Sequence, residues 1–171
     1  TLKEMIGNAL KTISRTTFSP KSFNNKYGVP LSLFNLKQND EYGVLEVGMD
    51  KEGEINNLTK ITKPDLGIIT NISYAHSKNF KKIDHIAKAK AEIMNNIKKD
   101  GTILLNMDDS FFSYHKKIAL KKKLKVITFG IKNKFSMTKL IKIKKIKNKY
   151  ELFVNVSGLL VSFYSHNNNK S

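Results

Sequence analysis

Several polar residues in this chain stand where α/β proteins do chemistry. Glu46 closes the apolar run 42–47 and is followed by Gly48. In parallel α/β sheets, ligands bind beyond the carboxyl ends of strands. A carboxylate there suits Mg²⁺ beside a nucleotide phosphate; the plainer reading is a solvated strand-end carboxylate. His76 follows the next apolar run, 65–70, and so falls past a second carboxyl end, though a lone histidine can equally be structural. Lys90 shares a helical face with Ile83, Ile86, Ala87, Ile93 and Ile97, whereas Lys88 does not. An inward ammonium must be paired or functional, because burying it alone is costly; otherwise its stem snorkels. Asn106, with Asp108 and Asp109, ends another apolar run, where these side chains either meet a ligand or cap the following helix. Asn24 and Asn25 lie in Phe23-Asn24-Asn25-Lys26-Tyr27-Gly28-Val29-Pro30, an Asn-rich turn. Their carboxamides both donate and accept, which suits a peptide or a sugar, or builds an ordinary turn.

The elements that must hold these residues can be read from period and punctuation. Met5, Ile6, Ala9, Leu10 and Ile13 share one helical face, so the chain opens inside a helix, with no N-cap expected ahead of it. Pro30 can open a short helix through Leu36. Buried strands are expected at 42–47 and 65–70, with a helix at 54–61 between them, stopped near Pro64. A helix over 83–97, a strand over 102–106, a helix over 110–122 and a strand over 125–129 follow. This alternation implies parallel strands with crossover helices. After Gly130 the period becomes two: 135–143, 150–156 and 159–164 read as strands, with turns at Asn148 and Ser157-Gly158, an antiparallel meander.

Composition narrows the class. The chain has 171 residues, 40% of them hydrophobic, enough to bury a core. It has no cysteine, which excludes a disulfide scaffold and a thiolate zinc site and fits a reducing compartment. No apolar run approaches the ~18 residues of a membrane span. The net charge is +17, but 30 of the 31 basic residues are Lys and only Arg15 is Arg. Nucleic-acid sites usually employ Arg as well, for its bidentate fork. The charge is uneven: residues 1–109 carry a net +3 and residues 110–171 a net +14, which reads as a solvated Lys-rich surface or a polyanion-binding face.

Taken in order, these segments resemble the central ATPase domain of the Mur ligases. Thr1-Leu2-Lys3-Glu4-Met5 is similar to the helix that follows the family's P-loop; Ala75-His76, Ala89-Lys90-Ala91-Glu92-Ile93 and Asn106-Met107-Asp108-Asp109 resemble three further family segments. The Asn24-Asn25 loop and Glu46-Val47-Gly48-Met49 look most like the MurF-type branch, the UDP-N-acetylmuramoyl-tripeptide–D-alanyl-D-alanine ligases. The chain departs from the pattern at Met94, Met107 and Ser165, the last just before His166-Asn167.

The resemblance implies an α/β fold, a P-loop-NTPase-like and mostly parallel sheet with flanking helices over 1–130, then an antiparallel meander of the same domain over 131–171. It implies a fragment that starts just after the P-loop, without the UDP-binding N-terminal and the C-terminal ligase domains. It implies ATP and Mg²⁺, with Glu46 and His76 as metal ligands and Lys90 carbamylated and metal-bridging. Thr1 and Asn106 would serve ATP, and Asn24 and Asn25 the substrate. The reaction implied is peptidoglycan precursor synthesis: D-alanyl-D-alanine is added to UDP-MurNAc-tripeptide through an acyl phosphate, by a monomeric cytoplasmic enzyme that neither enters a membrane nor binds nucleic acid. Without the P-loop the isolated chain is expected to be inactive. Two rivals stay open: a sibling ligase with another acceptor, and a non-catalytic module binding RNA or another polyanion through 110–171.

Overall fold

A computed structural model describes residues 1–74 and 79–165. The chain forms two units, one of Thr1–Pro64 with Ser73–Lys98, the other of Asp65–Ile72 with Lys99–Ser171.

In the first unit, α1 (Leu2–Lys11) lies against β1 (Thr16–Phe18), which pairs in parallel with β2 (Tyr42–Val44). The approach is close: a Cβ on Gly7 would come within 2.2 Å of the Phe18 ring, so the helix needs glycine there. Between the strands runs α2 (Gly28–Phe34), which buries Val29 and Ser32. Then come α3 (Glu54–Thr62) and, after the second unit's first strand, α4 (Ile83–Ala91) with a 3₁₀ turn at Glu92–Asn95. Ile55 and Leu58 of α3, Ile86, Ala87 and Ala89 of α4, and Met94 are among its buried apolar residues. Polar groups fasten the same region. The Asn96 amide donates to Asn56 Oδ1 at 3.0 Å and to Thr59 Oγ1 at 2.8 Å.

The second unit is a six-stranded sheet in sequential order: β3 (Leu66–Ile69), β4 (Thr102–Asn106), β5 (Lys125–Gly130), β6 (Thr138–Ile146), β7 (Lys149–Val156) and β8 (Leu159–Ser165). The first four strands pair in parallel and the last three antiparallel. This is the mixed α/β class expected from the sequence. The crossover helix α5 (Phe112–Lys121) packs on β4 and β5 and buries His115 and Ala119, while β4 buries Ile103 and Leu105. The turn into β8 uses Ser157 and Gly158, with φ of 51° and 95°, the left-handed pair that matches the twist of a tight hairpin.

Several expectations need correction. Thr1 itself caps α1, where no cap was expected: its side chain accepts from Glu4 N, and the Glu4 carboxylate returns the bond in a capping box. The strand expected at 42–47 stops at Val44, and it is not buried, since Tyr42 is 42% exposed. Residues 45–49 leave the ladder, and the amides of Glu46 and Gly48 bond to a neighbouring loop instead. The helix expected over 83–97 tightens at Glu92. The first meander strand begins at Thr138 rather than 135: Asn133 Oδ1 accepts from Phe135 N in a local turn, and the Phe135 side chain is exposed.

Candidate functional site

In the first unit the chain after β1 loops over the end of β2. Ser19 N donates to Val44 O at 2.9 Å, and the buried Ser19 hydroxyl accepts from Glu46 N at 3.2 Å. Five residues on, Asn24 grips the same stretch twice. Its carbonyl accepts from Gly48 N at 2.7 Å, and its Nδ2 donates to Glu46 Oε1 at 3.0 Å. Glycine at 48 permits this, because a Cβ there would lie 3.0 Å from the Asn24 carboxamide. Two candidates proposed for different roles, Asn24 for substrate and Glu46 for metal, are therefore one hydrogen-bonded pair. Glu46 is half-buried, with one oxygen engaged.

Asn25 has a structural job. Its Oδ1 accepts from Tyr27 N at 3.1 Å and Gly28 N at 2.9 Å, which builds the turn into α2. Gly28 is required here: a Cβ would sit 2.5 Å from Phe23 Cα. Thr1 is occupied as the cap of α1. On α4, Lys90 is half-buried while Lys88 is exposed. His76 lies outside the described residues.

Asn106 belongs to the second unit, at the carboxyl end of β4, paired in register with Phe129 of β5. Its Oδ1 accepts from Asp108 N at 2.9 Å. Asp108 then reaches the loop after β5 and accepts from three consecutive amides: Ile131 at 2.5 Å, Lys132 at 2.9 Å and Asn133 at 2.7 Å. Those amides, Ile131's above all and then Lys132's, hold its carboxyl below the usual aspartate range. Asp109 accepts from Ile72 N at 2.7 Å and from Phe111 N at 2.8 Å, tying β3's exit to the start of α5. Of the three polar residues, both aspartates are committed to backbone.

Sequence reasoning missed two residues. Ser19 gave no signal, being one serine before a proline. Glu92 was noted only as part of a motif, yet its carboxylate accepts from Gly53 N at 2.6 Å and Asn56 N at 3.0 Å. Gly53, the N-cap of α3, has no side chain to do this, so a carboxylate from 39 residues away satisfies the helix's free amides.

The sequence model of the Mur ligase middle domain matches residues 1–166. The chain belongs to the Mur ligase family. UDP-N-acetylmuramoyl-tripeptide–D-alanyl-D-alanine ligases are among its similar relatives. That of Buchnera aphidicola from Acyrthosiphon pisum is 38% identical over 78% of this chain and 29% of its own length. That of Rickettsia prowazekii is 34% identical over 84% of this chain and 33% of its own. The chain thus spans about a third of the length of these Mur ligases. A solved MurF from Acinetobacter baumannii superposes with a TM-score of 0.86 at 26% identity, over 95% of this chain and 35% of that one. A MurF ligase from Thermotoga maritima, solved in complex with ADP, gives 0.83 at 25% identity, over 95% of this chain and 36% of that one.

For a Mur ligase the donor set deserves a test against Mg²⁺. Among the described residues no group of three His, Cys, Asp or Glu side chains converges as a metal cage. Glu46 supplies a single hard carboxylate with one oxygen anchored. That fits Mg²⁺, which takes one or two carboxylates and completes its shell with phosphate oxygens and water.

Proposed function

We propose that this chain is the ATP-handling core of a ligase that joins D-alanyl-D-alanine to UDP-MurNAc-tripeptide in peptidoglycan precursor synthesis, a cytoplasmic step that serves cell shape and division. The γ-phosphoryl group of ATP passes to the C-terminal carboxylate of the tripeptide. The amine of D-alanyl-D-alanine then attacks the acyl phosphate, the new amide forms, and ADP and phosphate leave. Two anions must meet in the first step, so the site has to offset their repulsion.

Glu46, with His76, is the proposed Mg²⁺ ligand. Bound Mg²⁺ would screen the phosphate charge from the incoming carboxylate. Asn24 fixes the Glu46 carboxylate and leaves its own carboxamide oxygen for a substrate amide or hydroxyl. Asn25 acts on substrate only through the turn it builds. Lys90 is the proposed carbamate: its neutral amine adds CO₂ and loses a proton, turning an inward-facing cation into a carboxylate-like ligand. Asn106 is the proposed contact to adenine, on a strand end held by Asp108. Thr1 is proposed near the phosphates, at the start of a helix whose amides favour anions.

The observation that carries this reading is the Asn24–Glu46 pair, since it joins the two segments that look most like the MurF-type branch. The test is Glu46→Gln in the complete gene product containing residues 1–171. Gln keeps the bond to Asn24 and removes the charge. Turnover with UDP-MurNAc-tripeptide should fall by roughly 10²–10³-fold, the usual cost of one preorganised electrostatic contact. Turnover equal to wild type would remove Glu46 from the reaction.

A further inference from the structure

The geometry points to Lys3 as a positioning residue that sets the Asn24–Glu46 pair from the far side of its loop. Lys3 is 5% exposed, although it carries an ammonium and sits in the first turn of α1. Burying that charge is costly, and packing alone would accept an apolar side chain at this position. Its Nζ donates to the backbone carbonyl of Lys21. Lys21 has φ of 42°, the left-handed region that a side-chain-bearing residue adopts at a cost. A charged donor on its carbonyl stabilises that conformation where no glycine is present to do so.

Lys21 lies midway along the strap that crosses the end of β2. One end of the strap is pinned by Ser19, which bonds Val44 O and Glu46 N. The other end is Asn24, which bonds Gly48 N and Glu46 Oε1. Between them the chain turns through the bonds Phe23 N to Pro20 O at 3.1 Å and Asn24 N to Ser22 O at 2.8 Å. If the turn at Lys21 relaxes, Asn24 is displaced relative to Ser19, and the two grips on residues 44–48 cannot both hold. Lys3 therefore acts on the reaction through Asn24 and Glu46 and does not itself touch substrate. This inference rests on the proposed role of Glu46.

The experiment compares Lys3→Met, which keeps the stem and removes the donor, with Lys3→Arg, which restores a donor. On the 171-residue chain, amide hydrogen exchange at Gly48 reads the grip directly. Lys3→Met should speed Gly48 exchange by about tenfold or more, the weight of one lost bond to a charged group, and Lys3→Arg should recover most of it. In the complete gene product, Lys3→Met should raise the Mg²⁺ concentration needed for half-maximal turnover several-fold, with a smaller effect on KM for D-alanyl-D-alanine. Unchanged Gly48 exchange in Lys3→Met overturns the latch. Faster exchange with an unchanged Mg²⁺ requirement overturns the link to Glu46 while leaving the latch standing. Should Lys3→Met not give a dispersed spectrum, Lys3→Gln, too short to reach the carbonyl, is read by the same criteria.

Discussion

Removing the Glu92 carboxylate should loosen α3 from a distance. In the folded chain this carboxylate takes the Gly53 and Asn56 amides at 2.6 and 3.0 Å. Both lie at the start of α3, where the helix has no side-chain cap of its own. Each bond contributes about 1 kcal/mol net for a half-buried carboxylate, and its charge at the positive helix end about 0.5 kcal/mol more. Glu92→Ala should therefore cost about 2.5 kcal/mol, which for a chain of this size lowers Tm by about 5–10 °C. Glu92→Gln keeps one acceptor oxygen and loses the charge, so it should cost about 1.5 kcal/mol. Urea unfolding followed by circular dichroism gives both values from the midpoint shift at unchanged slope. Hydrogen exchange at Asn57, which donates to Gly53 O, localises the loss to the first turn of α3. A cost below about 0.5 kcal/mol for Glu92→Ala, the level of an ordinary surface change, would refute the reasoning. So would a Gln variant less stable than the Ala variant.

Three further outcomes follow from the same geometry. Gly28→Ala should destabilise by about 2 kcal/mol or more, because its Cβ would meet the Phe23 backbone at 2.5 Å and backbone cannot rotate away; a urea midpoint within error of wild type would contradict that contact. Asp108 has a carboxyl pKa lowered in the fold, so its contribution is fully present above the unfolded value of ~3.9 and is lost as pH falls through the folded value. The stability gap between wild type and Asp108→Asn, measured in urea from pH 7 to pH 2, should accordingly be constant down to about pH 4 and close below it; a gap that widens on acidification would reverse the assignment. In the complete gene product Lys90→Ala should lower ligase turnover roughly a hundredfold with partial recovery in acetate or formate, whereas the exposed Lys88→Ala should stay within about twofold, and the opposite ranking would displace Lys90 from the site.

The sequence carried the order of elements well, because long segments have a period to read. The alternation through Gly130 and the hairpins after it follow from apolar spacing alone. Short or bent pieces had no such signal. Thr16–Phe18 is three residues, too few to show a pattern. The run Val44-Leu45-Glu46-Val47 looks like an uninterrupted strand, yet the ladder ends at Val44, and beyond it Ser19 takes the Glu46 amide and Asn24 the Gly48 amide. Residue types and motif order singled out Asn24, Glu46 and Lys90 as candidates, and the helical register placed Lys90 further inward than Lys88, as its half-buried side chain bears out. The bond between Asn24 and Glu46 was not legible, since it joins positions 22 residues apart through a loop whose course is set by backbone hydrogen bonds. The turn built by Asn25 was one of the readings its residue type allowed, whereas the backbone partners of Asp108 and Glu92 lie 23 or more residues away and leave no trace in local spacing.

Oxygen isotope transfer distinguishes an ATP-driven acyl phosphate from any other route to the amide. UDP-MurNAc-tripeptide labelled with ¹⁸O in its C-terminal carboxylate is incubated with ATP, Mg²⁺, D-alanyl-D-alanine and the complete gene product. The expected product is UDP-MurNAc-pentapeptide, with one ¹⁸O carried from each carboxylate into the released phosphate. Pentapeptide without label in phosphate would contradict the acyl phosphate, and ATP consumption without pentapeptide would contradict the ligase itself.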